Sequence, residues 1–445
     1  MSIYYNYPAE DKRKCEVKLF ASQGIYEDIE ETALTQLLTA AQLPGVRAVV
    51  GMPDLHQGYG LPIGGVMASA PSGPISPGAV GFDINCGVRL IQTGMKADEI
   101  KGREDEMLQM LSRTVPAGLG EGSQLKFSRK EFREIIGRGI PALIRMGLAP
   151  ESAVENCEDG GSFSPADPSA VSKQALKRGI TQLNSLGSGN HFLELQVVAS
   201  TEDETPFSEG ELVIMLHTGS RGFGHQICKD YSQEAKDKAH KFDLSFPRKN
   251  LAYFPGDSRE GQNYLQAMGC AANFAYANRE LLTRKLEETW QELFPHSSFR
   301  LYYDHTHNIA RRERHLIEGK EEEVLIHRKG ATHLPRQGRA LIPGSMGTSS
   351  FVVKSMDTEY TALALESVAH GAGRRMSRTQ AKKTISQKRH RQSMGEVKST
   401  SSSGENILDE SPLAYKDITA VISSITESQL AYPIAQLNPL VVLKG

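Results

Sequence analysis

Gly81-Phe82-Asp83-Ile84-Asn85-Cys86-Gly87-Val88-Arg89 runs from a glycine-bounded turn into an apolar strand and sets a carboxylate three residues ahead of a thiol. A lone cysteine in apolar surroundings is most often a small core residue. Cys86 stands instead between Asn85 and Gly87, which is not core composition. Histidines recur in the same kind of setting, in Gly189-Asn190-His191, Leu216-His217-Thr218-Gly219, His305-Thr306-His307-Asn308 and Ala369-His370-Gly371. Together these segments predict strand ends and glycine-rich turns converging on one composite site, the usual setting for divalent metals and phosphates. Carboxylate, thiolate and imidazole donors suit a borderline cation such as Mn or Zn, and two cations sharing Cys86 are compatible with the set. His305 and His307 share a side if both lie on a strand, so either serves as the ligand, with Asn308 favouring His307. His225, His240, His296 and His390 lie in ordinary helical or loop contexts.

Outward from that turn, Val46 to Met52 reads as a strand that delivers Asp54 and His56 at its exit, and the chain resumes as a strand at 89–93. Runs at 192–198, 212–217, 301–303, 323–327 and 340–342 are strand-like with polar ends. Helical apolar spacing covers 26–42, 101–114, 128–146 and, longest, 263–294. The acidic, Gly/Ser/Pro-rich stretch 151–169 predicts a surface loop, and 396–412, with its Ser/Thr run, a mobile loop. With no repeat and no linker, the chain reads as α+β in one compact unit.

A net charge of −2 exerts no global pull on nucleic acid or acidic membranes, so any polyanion must meet a local patch. Five cysteines without a CxxC pair make a poor disulfide framework and fit a reducing cytoplasm. The N-terminus lacks a signal-peptide pattern, and no apolar run approaches the ~18 residues of a membrane span. A cytoplasmic protein is expected.

Two glycine-rich segments and one basic run suggest phosphate chemistry. His370 is followed by Gly371-Ala372-Gly373-Arg374, where glycines admit a phosphate to the backbone and the guanidinium offers two parallel donors. Pro343-Gly344-Ser345-Met346-Gly347-Thr348-Ser349-Ser350 has phosphate-cradle composition without being a P-loop. Residues 374–391 hold Arg374, Arg375, Arg378, Lys382, Lys383, Lys388, Arg389 and Arg391 with no acid among them, enough to neutralise part of a nucleic-acid backbone. Lys329 and Arg221 add cations near other candidate ligands.

These segments resemble the RtcB family of RNA ligases. The resemblance is carried by Met52-Pro-Asp-Leu-His-Gln-Gly-Tyr-Gly, Phe82-Asp-Ile-Asn-Cys-Gly-Val-Arg, Leu186-Gly-Ser-Gly-Asn-His-Phe-Leu-Glu194, His217-Thr-Gly-Ser-Arg-Gly, His327-Arg-Lys-Gly-Ala-Thr, Ile342-Pro-Gly-Ser-Met-Gly-Thr and His370-Gly-Ala-Gly-Arg. It implies a single compact domain over 1–445, with mixed and antiparallel sheets surrounded by helices. It further implies a GTP- and Mn(II)-dependent ligase that joins RNA 3′-phosphate or 2′,3′-cyclic phosphate ends to 5′-hydroxyl ends, with archease as a candidate partner. By similarity, His370 is the nucleophile that takes GMP, oriented by Asp54. Asp83, Cys86, His191, His217 and His307 are the ligands of two manganese ions. Glu194, Ser350 and Lys444 contact the guanine nucleotide, and Asn190, Asn308, Arg221, Ser345 and Arg374 serve the phosphates. Lys329, Arg378 and Lys382 are assigned to the RNA. A dinuclear phosphodiesterase or phosphatase acting on RNA ends uses the same metal ligands, and an RNA-binding protein with a structural metal is a third reading.

Overall fold

Apolar runs that end in glycine turns build two mixed sheets in the computed structural model, which describes residues 3–10, 12–118, 125–202, 205–401 and 407–445. One sheet has six strands in the order Tyr5–Tyr7, Val17–Leu19, Val46–His56, Ile63–Ser69, Lys320–Lys329 and Asn308–Ile317. The other has eight: Arg300–Thr306, Gly87–Lys96, Glu211–Thr218, Phe192–Thr201, Ala431–Lys444, Ser350–Ser355 and Arg339–Ile342 in order, with Lys398–Ser401 paired in parallel to Ala431–Lys444. Helices flank both sheets, so the architecture is α+β in one compact domain. Among the described residues no helix is long and apolar enough to cross a membrane.

Glu211–Thr218 lies in the middle of the larger sheet and is buried along its whole length, as expected of a continuous apolar run covered on both faces. One face receives the 35-residue helix Arg259–Leu293, which starts where the Ser258 hydroxyl accepts the Gly261 N–H at 3.0 Å. Its Trp290 is fully buried with Leu216, Leu286 and Leu443, and burial of side chains of this size contributes about 1.5–3 kcal/mol each. The same helix sends Arg279 beneath the larger sheet's end. There it meets Asp304 at 2.9 Å and donates to the carbonyls of Asn85 (3.0 Å) and Thr218 (3.1 Å). Arg89, also fully buried, joins Asp304 at 2.8 Å and Glu280 at 2.6 Å. Buried charges persist only when paired in this way.

Two helices differ from their sequence expectation. The helix expected over 26–42 is two, Gln23–Glu27 and Glu31–Ala40. The one over 128–146 breaks at Gly139 (φ +64), where a side chain would meet the Gly161 carbonyl, giving Arg129–Arg138 and Ile140–Arg145. The stretch 151–169 lies at the surface as expected but is ordered as short 3-10 turns, and its Glu158 accepts the Thr306 N–H at 2.8 Å. Of the stretch 396–412, residues 402–406 lie outside the described residues. Lys398–Ser401 is a strand, and Ile407–Glu410 is a 3-10 turn.

Candidate metal centre and adjoining cavity

Strand register gathers the donors. Gly87 pairs with Thr218 and Thr306, and Phe192 pairs with His217, so Cys86, His191, His217 and His307 all emerge at one end of the larger sheet. The turn that sets Asp83 beside Cys86 closes through Cys86 N–H to the Asp83 carbonyl (3.0 Å), with Asn85 in the left-handed region (φ +55). Asparagine tolerates that conformation, and its side chain is anchored on the Ala272 carbonyl at 2.7 Å.

Cys86 Sγ lies 3.2 Å from His217 Nε2 and 3.5 Å from His191 Nε2. His191 Nε2 is 2.7 Å from Asp83 Oδ2, and His217 Nε2 is 3.4 Å from His307 Nε2. Two donor groups result, Asp83–Cys86–His191 and Cys86–His217–His307, with the thiol common to both. Two Nε2 atoms facing each other share at most one hydrogen bond, whereas a cation between them satisfies both. The donor set therefore fits one cation per group, with imidazole, carboxylate and sulfur ligands of borderline character. His191 Nδ1 faces the Leu186 carbonyl at 3.0 Å, which fixes its ring and turns Nε2 inward. Burial pushes the Cys86 thiol up and His217 and His307 down, and a cation reverses the penalty on the thiolate. Burial also opposes charge on Asp83, but His191 outweighs it and holds the carboxyl low.

The ambiguity between His305 and His307 resolves on geometry. The strand Arg300–Thr306 stops before His307, so the alternation that set both rings on one side is broken. His305 Nε2 accepts the Leu341 N–H at 3.0 Å, away from the cluster.

His370 follows the short strand Ser367–Ala369, and its ring centre lies 4.8 Å from that of His307. Asp54 is fully buried, and its Oδ2 accepts from His370 Nδ1 at 2.6 Å and from the His370 backbone N–H at 3.0 Å. A carboxylate only accepts, so Nδ1 carries the proton and Nε2 keeps its lone pair. Gly373 (φ +71) lets the turn close on Asp54, where any side chain would strike the Asp54 carbonyl.

Beside His370 lies a cavity of about 230 Å³, whose walls include Asn190, Ser345, Arg374, Arg378, Glu410 and Lys444. Ser350 and Glu194 stand behind this wall and are joined through Gln196, whose amide donates to both (3.1 and 2.6 Å). Burial pushes Glu194 up to about 8 against the pull of Lys444. Asn308 is turned away from the cavity, holding the Asp83 carbonyl at 3.0 Å and the Gly330 N–H at 2.7 Å. Arg221 opens the helix Arg221–Asp237 at φ +57 and sets its guanidinium 3.4 Å from His191 Nδ1.

The three cations assigned to RNA from the basic segments differ in setting. Lys329 is only 6 % exposed, and its ammonium is spent on the Tyr59 and Gly78 carbonyls, which sets it away from a phosphate path. Arg378 lines the cavity, ion-paired with Glu410 and with Asp409 (3.0 Å), and Lys382 lies 3.7 Å from Asp409. These acids lie outside the basic run and were invisible in its composition.

Sequence reasoning missed three residues. Glu410 meets Lys444 at 3.4 Å and accepts the Tyr415 hydroxyl at 2.5 Å. Burial opposes its charge, but Lys444 and Arg378 outweigh burial and hold Glu410 below the ordinary carboxylate range. Tyr415 closes the cavity beside Arg374. Lys416 is buried and donates to the Pro53 (3.0 Å) and Leu55 (2.9 Å) carbonyls, on either side of Asp54. The acid pair Asp409-Glu410 followed by Tyr415-Lys416, just after the Ser/Thr run at 399–403, was the available signal.

The family model described as "tRNA-splicing ligase RtcB" matches residues 36–445. A protein of Nanoarchaeum equitans named "tRNA-splicing ligase RtcB" is 40 % identical, over 98 % of this chain and 97 % of its own length. Its namesake from Thermococcus kodakarensis is 38 % identical over 100 % and 98 %. The "RNA-splicing ligase RtcB" of Mycobacterium tuberculosis is 40 % identical over 92 % of this chain and its own full length.

Proposed function

Because the chain belongs to the RtcB family, we propose that it is an RNA ligase that joins 3′-phosphate or 2′,3′-cyclic phosphate ends to 5′-hydroxyl ends, using GTP and two Mn(II). One observation carries this reading: a histidine held at Nδ1 by a buried carboxylate, with Nε2 free, stands between a thiol-centred donor cluster and a cavity lined by cations. The buried Glu194, held against Lys444 beside the cavity, is the feature that favours a nucleotide-using reaction over simple hydrolysis of RNA ends.

Asp83, Cys86 and His191 would hold one Mn(II), and Cys86, His217 and His307 the other. When bound, the ions neutralise phosphate charge and polarise the bonds being broken. Asp54 keeps the His370 proton on Nδ1, so Nε2 is the nucleophile. Nε2 attacks the α-phosphorus of GTP, an N–P bond forms, and pyrophosphate leaves. Arg374 and Ser345 bear on the phosphates, and Glu194 and Lys444 on the base. An RNA 3′-phosphate oxygen then displaces His370 from the guanylate, giving RNA-ppG. Attack by the 5′-hydroxyl on the RNA phosphorus forms the phosphodiester and releases GMP. A cyclic phosphate is first hydrolysed to the 3′-phosphate.

The test is joining of a 3′-phosphate RNA to a 5′-hydroxyl RNA with GTP and Mn(II). Joined product with GTP and none with ATP supports the reading. End hydrolysis without joining, independent of GTP, assigns the site to a dinuclear phosphodiesterase instead.

A further inference from the structure

Among the described residues of the donor cluster, Asp83 is the most exposed. The Asp83 side chain is 28 % exposed, against 5 % for His191, and His217 and His307 are buried as residues. The cavity beside His370 reaches the cluster at His217, and Asp83 is not among its lining residues. A centre that receives a nucleotide through the cavity therefore has a second approach, past Asp83.

Beside that approach stands a row of three rings. Phe82, the residue before Asp83, is half-buried; the Tyr59 ring centre lies 4.9 Å from its own, tilted at 40°, and the exposed His225 ring centre 4.6 Å, nearly parallel at 20°. None of the three belongs to the donor cluster or the cavity wall. The row is braced from the protein side, since Lys329 holds the Tyr59 carbonyl and packs against Gly81, and Lys236 donates to the Tyr59 hydroxyl at 3.4 Å. Cations flank it. Arg178 donates to Gln226, the neighbour of His225, at 3.0 Å, and the exposed Lys229 lies one turn further along the same helix; both act electrostatically on His225. Aromatic faces bordered by cations are how proteins grip unpaired bases, since every base has a π-face and every linkage a negative charge.

We propose that Tyr59, Phe82 and His225 form a stacking platform for one unpaired base at the reacting end of single-stranded RNA, with Arg178 and Lys229 meeting its backbone. The inference rests on the RNA ligase reading above. The buried Lys329 ammonium then positions the platform from beneath and does not touch the RNA.

The test uses the full chain with Mn(II) and RNA carrying 5-iodouridine at the terminal nucleotide of the 3′-phosphate strand or, separately, of the 5′-hydroxyl strand. After irradiation, crosslinked peptides are mapped, and RNA KM is measured for Phe82→Leu and His225→Ala, with RNA-free guanylate formation and manganese content as controls. The expected result is a crosslink from at least one strand to Tyr59, Phe82 or His225. RNA KM is expected to rise about tenfold in either variant, within the range of one lost stacking contact, while both controls persist. Crosslinks from both strands that map elsewhere, together with unchanged RNA KM in a wild type that ligates, overturn the platform alone. His225→Ala lies on an exposed helical position, so its KM remains a test should Phe82→Leu fail to fold. A wild type that neither guanylates nor joins RNA fails the ligase reading and the platform with it.

Discussion

If Glu194 contacts the guanine base as proposed, nucleotide binding acquires a pH dependence of definite sign. Its carboxyl is 2 % exposed, and burial pushes it up to about 8 despite Lys444 and the Gln196 amide. Below that value the free enzyme holds Glu194 protonated. A carboxylate that accepts from the guanine N–H groups must first lose that proton, so binding becomes easier as pH rises until Glu194 is ionised unaided. From about pH 6 to about pH 8 the cost of ionisation falls by about two units, or about 2.7 kcal/mol at about 1.36 kcal/mol per unit, roughly a hundredfold in Kd. The triphosphate titrates too, so the quantity to measure is the ratio of ATP to GTP dissociation constants, in which that contribution cancels. Titration calorimetry at stepped pH is expected to show GTP preference growing about tenfold per unit and levelling off near pH 8. Glu194→Gln is expected to flatten the profile and to lower GTP affinity at its upper end. A preference that stays flat or shrinks as pH rises in the wild type would refute the reasoning.

Cys86→Ala removes the donor common to both groups, so manganese content, read by atomic emission, is expected to fall at both positions; two ions retained would contradict the shared thiolate. Lys416→Met leaves the Pro53 and Leu55 carbonyls without their donor, at about 1–3 kcal/mol for each buried group left unpaired. Its Tm should fall and guanylate formation should slow at unchanged GTP affinity, whereas a lower Tm with normal guanylation would confine Lys416 to folding. Reversing Lys388 and Arg389 together, both exposed on the helix Gln387–Met394, is expected to weaken RNA binding and reduce the log–log salt slope by roughly 1.4, as two lost phosphate contacts require. An unchanged slope would take the RNA off that face.

Strand ends were legible because they follow local rules. Apolar runs closing on glycine, asparagine or threonine put His191 and His217 at one end of the larger sheet, whereas Asp54, expected past its strand's exit, lies inside the strand Val46–His56. Register then supplied what sequence lacks, since Cys86 meets His217 across 131 positions and Asp54 meets His370 across 316. His305 and His307 were inseparable by alternation because the break that separates them depends on pairing with Gly87, outside their own segment. The composition of the basic run was incomplete for a related reason. It holds no acid, yet Asp409 and Glu410 fold back onto Arg378. Lys329 reads as a surface cation until its strand is seen to be interior, where burial pushes the ammonium down to about 7. Arg279 and Lys416 act on backbone carbonyls, which carry no residue identity for a sequence to advertise.

The most direct measurement is intact-protein and peptide mass spectrometry after incubation with GTP and Mn(II), without RNA. A single added guanylate on His370, absent from His370→Ala and discharged when RNA with a 3′-phosphate is supplied, is the expected result. Guanylate on another residue, or undiminished in His370→Ala, would contradict the account.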